Sequence, residues 1–160
     1  MKIGIIIIFH NNEKDINTHF FVEHLNEAKN LELCLVNNAS RDKTYQILKD
    51  IRALCLNTIT IVDIKKFKSD VFAIRSGARF MFNQFDLKHV GFVNANQLNN
   101  YMPCINNIIT SITKHQDILV KYNSEVLEKK EMKQTLFKSI FSITESLEIL
   151  KNDHQLIDLS

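Results

Sequence analysis

The sequence contains few residues that let a backbone turn sharply: three glycines and one proline in 160 residues. Proteins that hold phosphate on a glycine-rich loop show GxGxxG or GxxxxGK[ST], and neither pattern occurs here. A dinucleotide fingerprint and a P-loop are therefore excluded. Any bound nucleotide would have to be held by side chains.

Cysteine is also scarce. The three cysteines, Cys34, Cys55 and Cys104, are far apart in apolar surroundings, without a CxxC pair or a neighbouring histidine cluster. An odd number with this spacing argues against a disulfide framework and against a zinc site. We expect three buried, reduced thiols.

The chain has no excess of charge and no long apolar run. Its net charge is +2 with scattered basic residues, so neither nucleic acid nor a membrane surface is predicted as a partner. The apolar opening, IGIIIIF, lacks a cleavage site and is far shorter than the roughly 20 residues of a membrane span. The sequence predicts a cytoplasmic protein with no transmembrane segment. With 45% hydrophobic residues, it can form one core.

Apolar runs alternate with helical patterns over the first hundred residues. Strands are predicted over residues 2–9, 31–36, 58–64 and 89–94. The helices between them are predicted after a cap at Asn11 or Asn12, over 43–54 after Ser40 or Asp42, and over 69–84 after Ser69. This alternation indicates an α/β fold with a mostly parallel sheet.

The last third of the chain is predicted to be mainly helical. Pro103 is expected in the first turn of a helix over 101–113, followed by a strand over 117–122. From Ser124 onward, apolar residues at helical spacing predict one long amphipathic helix: Met132, Leu136, Ile140, Ile143, Leu147 and Leu150. The domain prediction is an α/β unit over 1–123 with a helical extension over 124–160. The extension either packs on its own domain or forms an interface through 132–150, as in a homodimer.

Polar residues follow each predicted strand. In open α/β sheets, ligands bind beyond the carboxyl ends of the strands. Those ends are residues 9–12, residues 37–40, Asp63, and Asn94 with Asn96. The chain contains 17 asparagines, so those at the strand ends could also serve only to satisfy loop backbone groups.

Four segments together resemble the family 2 glycosyltransferases, which have the GT-A fold. These segments are IGIIIIFHNNEKDI, LELCLVNNASRDKTYQIL, KSDVFAIRSGARFMF and HVGFVNANQL. The family shows an apolar strand with a polar turn, a Val-Asp-Asp/Asn-Gly/Ala-Ser segment, an arginine-bearing helix, and a strand that closes on Asp-x-Asp. The resemblance covers residues 1 to about 100. It implies a Rossmann-like GT-A fold and a nucleotide sugar as ligand.

The resemblance also implies roles for particular residues. Asn37 would face the base, Arg75 would lie near the diphosphate or its supporting shell, and Asn94 and Asn96 would lie at the ribose and the metal. The full set of implied nucleotide-binding residues is Phe9, His10, Asn11, Asn37, Arg75, Asn94 and Asn96. No catalytic residue is assigned.

The sequence departs from the family at the positions that would carry chemistry. Ile8 replaces a proline, Asn37 replaces an aspartate, and Asn94 and Asn96 replace both aspartates of the metal motif. A neutral amide oxygen is a weak ligand for a hard cation. We therefore expect no metal cofactor, or at most weak Mg²⁺ or Mn²⁺ binding.

The leading expectation is a glycosyltransferase-like protein that binds a nucleotide or nucleotide sugar but has lost metal-dependent transfer. One alternative is an active, metal-independent transferase that uses Arg75 and Lys65, Lys66 or Lys68 to offset the diphosphate charge. Another is a non-catalytic scaffold that joins a partner glycosyltransferase through 132–150.

Overall fold

A computed structural model describes residues 2–98, 103–129 and 140–153. In this part of the chain the strands are β1 (Ile3–Phe9), β2 (Leu31–Asn38), β3 (Ile59–Ile64), β4 (His89–Asn94) and β5 (Ile140–Ser142). The helices are α1 (Thr18–Glu27), α2 (Thr44–Leu54), α3 (Asp70–Gln84), α4 (Ile105–Glu128) and α5 (Ile143–Asn152).

The five strands form one sheet in the order β3-β2-β1-β4-β5, and all neighbouring strands are parallel. The register pairs Ile3 of the central strand with Leu31 on one side and with His89 on the other. The predicted α/β fold with a Rossmann-like sheet is confirmed.

Helices cover both faces of the sheet, so every residue of β1 is buried. On one face Ile5 and Ile7 belong to a core with α1, α2, α4 and α5. On the other face Ile6 and Ile8 pack with Ala73 and other residues of α3. The double coverage explains why the sequence of β1 is continuously apolar instead of alternating.

The predicted start of α1 is wrong. The helix begins at Thr18, and its cap is Asn17, whose side-chain oxygen accepts a hydrogen bond from the Phe20 N–H at 3.0 Å. Asn11 and Asn12 do not cap it because their amides bond to groups from other strand ends.

The predicted starts of α2 and α3 are close to those observed. Ser69 caps α3 by accepting from the Phe72 N–H at 3.3 Å, as predicted. Lys43 occupies the cap position of α2, but the Asp42 carboxylate accepts from the Thr44 N–H at 2.9 Å. Burial raises the pKa of Asp42, yet hydrogen bonds from Thr44 and the Glu13 N–H outweigh it and leave the pKa below its ordinary value.

The strand predicted over 117–122 is wrong, because those residues belong to the 24-residue helix α4. Leu119 and Asn123, one helical turn apart, are both buried, so packing against the core favours a helix over a strand here.

Pro103 precedes the helix instead of lying in its first turn. The domain boundary predicted between residues 123 and 124 falls inside α4. Neither α4 nor another helix in the described ranges is long and apolar enough to cross a bilayer.

The single long helix predicted from Ser124 is also wrong. Strand β5 interrupts the helical pattern, and within the described residues up to 153 the helix that follows it is α5. Ile143, Leu147 and Leu150 are buried against the sheet, and a Cβ at Gly91 would come within 2.3 Å of the Ile143 side chain. These apolar residues therefore serve the core of the chain itself. Residues 132–139 of the predicted interface lie outside the described residues.

The expectation of three buried thiols holds for Cys34 only. Its side chain is fully buried, and this burial raises the pKa of the thiol to about 12. Cys55 is half-buried, and burial raises its pKa as well, whereas Cys104 is exposed.

Candidate functional site

The parallel register brings the polar strand ends to one edge of the sheet. Phe9 pairs with Asn37 of β2, and Ile8 pairs with Asn94 of β4. Phe9 itself is fully buried in the core, so its side chain does not reach the edge, and the polar side chains that follow it do.

His10 joins the ends of β1 and β2. Its Nδ1 lies 2.6 Å from the backbone oxygen of Asn38, which can only accept, so Nδ1 carries the proton. Its Nε2 then accepts from the Asn11 side-chain amide at 3.2 Å. The oxygen of that amide accepts from the Arg41 N–H at 2.7 Å, and the Asn11 N–H donates to the Ser40 hydroxyl at 3.1 Å. These hydrogen bonds hold the loop after β1 against the loop after β2.

Asparagine amides fill the crevice between β1 and β4. The strand order changes direction between these two strands, which is where open α/β sheets usually bind ligands. Here Asn96 donates to the backbone oxygen of His10 at 2.9 Å and accepts from Asn12 at 2.7 Å. Asn12 is fully buried, and its N–H donates to the Thr44 hydroxyl at 2.7 Å.

Asn94 is bound to the first residue of α3. Its amide nitrogen donates to one Asp70 oxygen at 2.9 Å, and the Gln97 amide donates to the other at 2.6 Å. The oxygen of Asn94 accepts from the Asn96 N–H at 2.8 Å. A carboxylate in the first turn of a helix is also stabilised by the helix dipole. We call Asn12, Asp70, Asn94, Asn96 and Gln97 the amide network.

The amide network does not fit a divalent cation. The side-chain oxygens of Asn94 and Asn96 already accept hydrogen bonds, and the Asp70 oxygens accept from two amides. Mg²⁺ and Mn²⁺ favour sites with several carboxylates, and the amide network contains one, Asp70. Throughout the described ranges, no three His, Cys, Asp or Glu residues lie close enough together to hold a metal ion.

An open cleft lies beside the network, at the ends of β1, β2 and β3. Its volume is about 700 Å³. We call it the basic cleft, and its lining residues are His10, Asn11, Ala39, Ser40, Arg41, Lys65, Lys66 and Phe67. Ala39 has a φ of 53°, a left-handed conformation that costs about 1 kcal/mol for a residue with a Cβ. Strained backbone of this kind is frequent where loops shape a ligand site.

One wall of the basic cleft is held by an ion pair. Lys65 bonds to Asp63 at the end of β3, and the Asn37 amide donates to the other Asp63 oxygen at 2.9 Å. Burial raises the pKa of Asp63, but hydrogen bonds from Lys65 and Asn37 and the charge of Lys65 outweigh it and lower the pKa. Asp63 in turn raises the pKa of Lys65. The Asn37 side-chain oxygen is buried, and no hydrogen-bond partner for it is found among the described residues.

The structure separates the residues that the sequence predicted for one site. His10 and Asn11 line the basic cleft, Asn94 and Asn96 belong to the amide network, and Asn37 supports the wall through Asp63. Arg75 lies elsewhere, in a smaller cleft of about 220 Å³ that is otherwise lined by Val71, Ile74, Phe92 and Ile140.

Sequence reasoning missed Arg41 and Phe67, and it considered Lys65 and Lys66 only within the metal-independent alternative. The signal was present as KKFK, residues 65–68, directly after β3. Basic side chains can bind the anionic part of a ligand, and an exposed aromatic ring can stack on its flat part.

The sheet order and the polar carboxyl edge define a Rossmann-like, GT-A-like fold. The fragment 1-349 of S. aureus TarS superposes with a TM-score of 0.51 and 16% identity, over 78% of this chain and 33% of that chain. The same fragment in complex with UDP-GlcNAc gives a TM-score of 0.49 and 16% identity, over 78% and 32% of the two chains. The mannosyltransferase PcManGT from Pyrobaculum calidifontis, in complex with GDP-Man and Mn²⁺, gives 0.47 and 18%, over 70% and 31%.

The chain therefore spans about a third of the length of these structures. No family model and no curated protein matches its sequence. Identities this low show the fold alone, and a fold can carry many functions. The likeness to the TarS fragment is therefore a likeness of fold.

Proposed function

We propose that this chain binds a nucleotide or nucleotide sugar in the basic cleft without a divalent metal, and that it does not perform metal-dependent glycosyl transfer. The basic cleft, at the carboxyl end of a GT-A-like sheet, is the observation that carries the proposal. TarS, whose fold this chain shares, is known in complex with UDP-GlcNAc, and we extend that class of ligand to this chain.

The charge of the cleft supports an anionic ligand. Arg41 and Lys66 are exposed, and among the described residues neither forms an ion pair. Lys65 keeps its partner Asp63 but also lines the cleft. An arginine guanidinium can bind two phosphate oxygens at once, and a lysine ammonium adds a point charge. These groups would offset a diphosphate in the absence of a cation.

The amide network supports the loss of metal-dependent chemistry. In metal-dependent transfer, the cation stabilises the negative charge that develops on the leaving diphosphate. Asn94 and Asn96 offer neutral oxygens that already accept hydrogen bonds within the protein. A cation at this position would compete with those bonds for the same oxygens and would gain no carboxylate from either residue.

An active, metal-independent transferase is the second candidate, because the cations of the cleft could also stabilise a leaving diphosphate. Arg75 lies in the smaller cleft, so this candidate depends on Arg41, Lys65 and Lys66 instead. Sugar transfer that continues in EDTA and stops in Arg41→Ala/Lys66→Ala would establish it.

Calorimetry with UDP, GDP, dTDP, CMP and UDP-GlcNAc, in EDTA and in Mn²⁺, tests the proposal. We expect at least one nucleotide to bind with the same Kd in both conditions. Arg41→Ala/Lys66→Ala should weaken that binding by about 10- to 100-fold, because solvent screens exposed cations and each then contributes less than the roughly 1.5–3 kcal/mol of a hydrogen bond to a charged group.

The matched control is Arg52→Ala/Lys88→Ala, which removes two exposed cations outside the cleft and should leave the Kd unchanged. Binding that requires Mn²⁺ would contradict the metal-independent site. Absence of binding across the panel would contradict the proposal and favour a scaffold function.

A further inference from the structure

Phe67 has a position that hydrophobic packing does not explain. The residue is 58% exposed and lies between Lys66 and Lys68 in the connection from β3 to α3. Single exposed apolar residues are common, so exposure alone carries no meaning. Phe67 differs from exposed residues such as Leu56 and Phe80 because it lines the basic cleft.

The ring of Phe67 is held by a neighbour that is itself fixed. Its centroid lies 4.7 Å from that of the His10 ring, at an interplanar angle of 61°. The His10 ring is locked by its bonds to the Asn38 backbone oxygen and to the Asn11 amide. An edge-type contact of this kind orients an aromatic ring without covering both of its faces. The cleft therefore has a preoriented aromatic wall.

Two positively charged side chains lie next to this aromatic wall. Lys66 precedes Phe67 in the chain, and Arg41 enters the cleft from the end of β2. A flat aromatic group can stack on a phenyl ring, while phosphates bind guanidinium and ammonium groups. A nucleotide carries both kinds of group, whereas a sugar phosphate and inorganic pyrophosphate carry only the anion.

We propose that Phe67 is the base-stacking residue of the cleft, with the phosphates of the same nucleotide on Arg41 and Lys66. This inference rests on the proposed function and adds to it that the ligand is recognised by its nucleobase. Phe67 is then a specificity-determining residue, because it separates nucleotides from other phosphate compounds.

Two variants test the inference. The chain has three tyrosines but no tryptophan, so Phe67→Trp introduces a single tryptophan at the proposed contact, and its emission can be excited selectively. Its fluorescence should be quenched by whichever of UDP or GDP binds best, and it should be unchanged by pyrophosphate or ribose 5-phosphate at equal occupancy. Phe67→Ala should weaken nucleotide binding by about 5- to 100-fold, the usual effect of removing a base-stacking ring, and should change the pyrophosphate Kd less than twofold.

Phe80→Ala is the control, because Phe80 is a partly exposed phenylalanine outside the cleft, and it should leave every Kd unchanged. If nucleotides bind but Phe67→Ala leaves their Kd unchanged, the stacking inference fails and the proposed function stands. An equal loss for pyrophosphate and nucleotide would also overturn it, because the ring would then only shape the cleft. If neither ligand binds the wild-type protein, both proposals fail together.

Discussion

The amide network and the basic cleft occupy the same edge of one sheet but differ in how their polar groups are satisfied. In the network, Asn12, Asn94 and Asn96 bond to each other and to neighbouring groups. In the cleft, Arg41 and Lys66 face a cavity of about 700 Å³. We call the amide network the closed half of the edge, because its polar groups bond within the protein, and the basic cleft the open half, because its cations face the cavity.

The difference follows from the chemistry of the side chains. An amide contains a donor and an acceptor, so neighbouring asparagines can satisfy one another. Cations of like charge cannot pair with one another, so a cluster of them keeps its capacity for an anion. Asn96 therefore completes the internal structure, whereas Lys66 remains available to a ligand.

The largest expected effect comes from a charge in the closed half. Asn12→Asp replaces a buried amide, and the new carboxylate would face Asp15, which now accepts from the Asn12 amide at 2.9 Å. We expect a loss of about 3 kcal/mol of stability because a buried charge has no partner, which lowers Tm by roughly 6–12 °C. Thermal unfolding at pH 7 measures this loss, with exposed Asn83→Asp as the control.

Introducing carboxylates should turn the closed half into a cation site. In Asn94→Asp/Asn96→Asp, three carboxylates including Asp70 would meet where amides now donate, and we expect a loss of about 2 kcal/mol in EDTA. Mn²⁺ should raise the Tm of this variant and leave that of the wild type unchanged.

Asn83→Asp/Gln84→Glu is the control for this comparison, because it adds two carboxylates on the exposed end of α3. A Tm of the wild-type protein that rises with Mn²⁺ would show that the network does hold a metal, and would remove the contrast between the two halves.

Salt should weaken the electrostatic interactions of the open half more than those of the closed half. Because Arg41 and Lys66 are exposed, raising NaCl from about 0.05 to 0.5 M should weaken nucleotide binding roughly three- to tenfold by screening. In Arg41→Ala/Lys66→Ala the dependence should be much smaller. Calorimetric titrations at several salt concentrations measure it, and a salt-independent wild-type Kd would argue against phosphate contacts in the cleft.

The smallest effect is expected at the wall of the cleft. The pKa of Asp63 is lowered in the folded protein, so its ionised form stabilises the fold above the ordinary aspartate pKa. This contribution is lost as the pH falls through the lowered pKa. The Tm difference between the wild type and Asp63→Asn should therefore shrink from pH 6 to pH 3. It should be small because the Lys65 side chain is 83% exposed. A difference that does not change with pH would contradict this assignment.

Much of the fold was predictable because local patterns and tertiary contacts agree over the first hundred residues. The run that forms β1 is apolar on both faces, and Ser69 precedes a helical pattern, so strand and cap follow from adjacent residues. Prediction failed at 117–122, where the short apolar run from Ile118 to Val120 suits a strand but lies within α4. It failed again at β5, because a three-residue strand is defined by its pairing with β4.

The location of the candidate site at one edge of the sheet was predictable from the sequence, but its hydrogen bonds and its cleft were not. The carboxyl ends of parallel strands must meet at one edge, so the polar residues directly after the strands could be assigned to that edge from sequence, whereas Arg41 was missed and Arg75 lies elsewhere. The polar groups of a side chain either bond within the protein or remain available to a ligand. Which of the two applies depends on partners far away in the chain, such as Asn12 for Asn96 and Asp70 for Asn94. The roles of the asparagines in the amide network and of Arg41, Lys66 and Phe67 in the basic cleft follow from the three-dimensional packing, because hydrogen-bond partners and cavities form between segments that are distant in the chain.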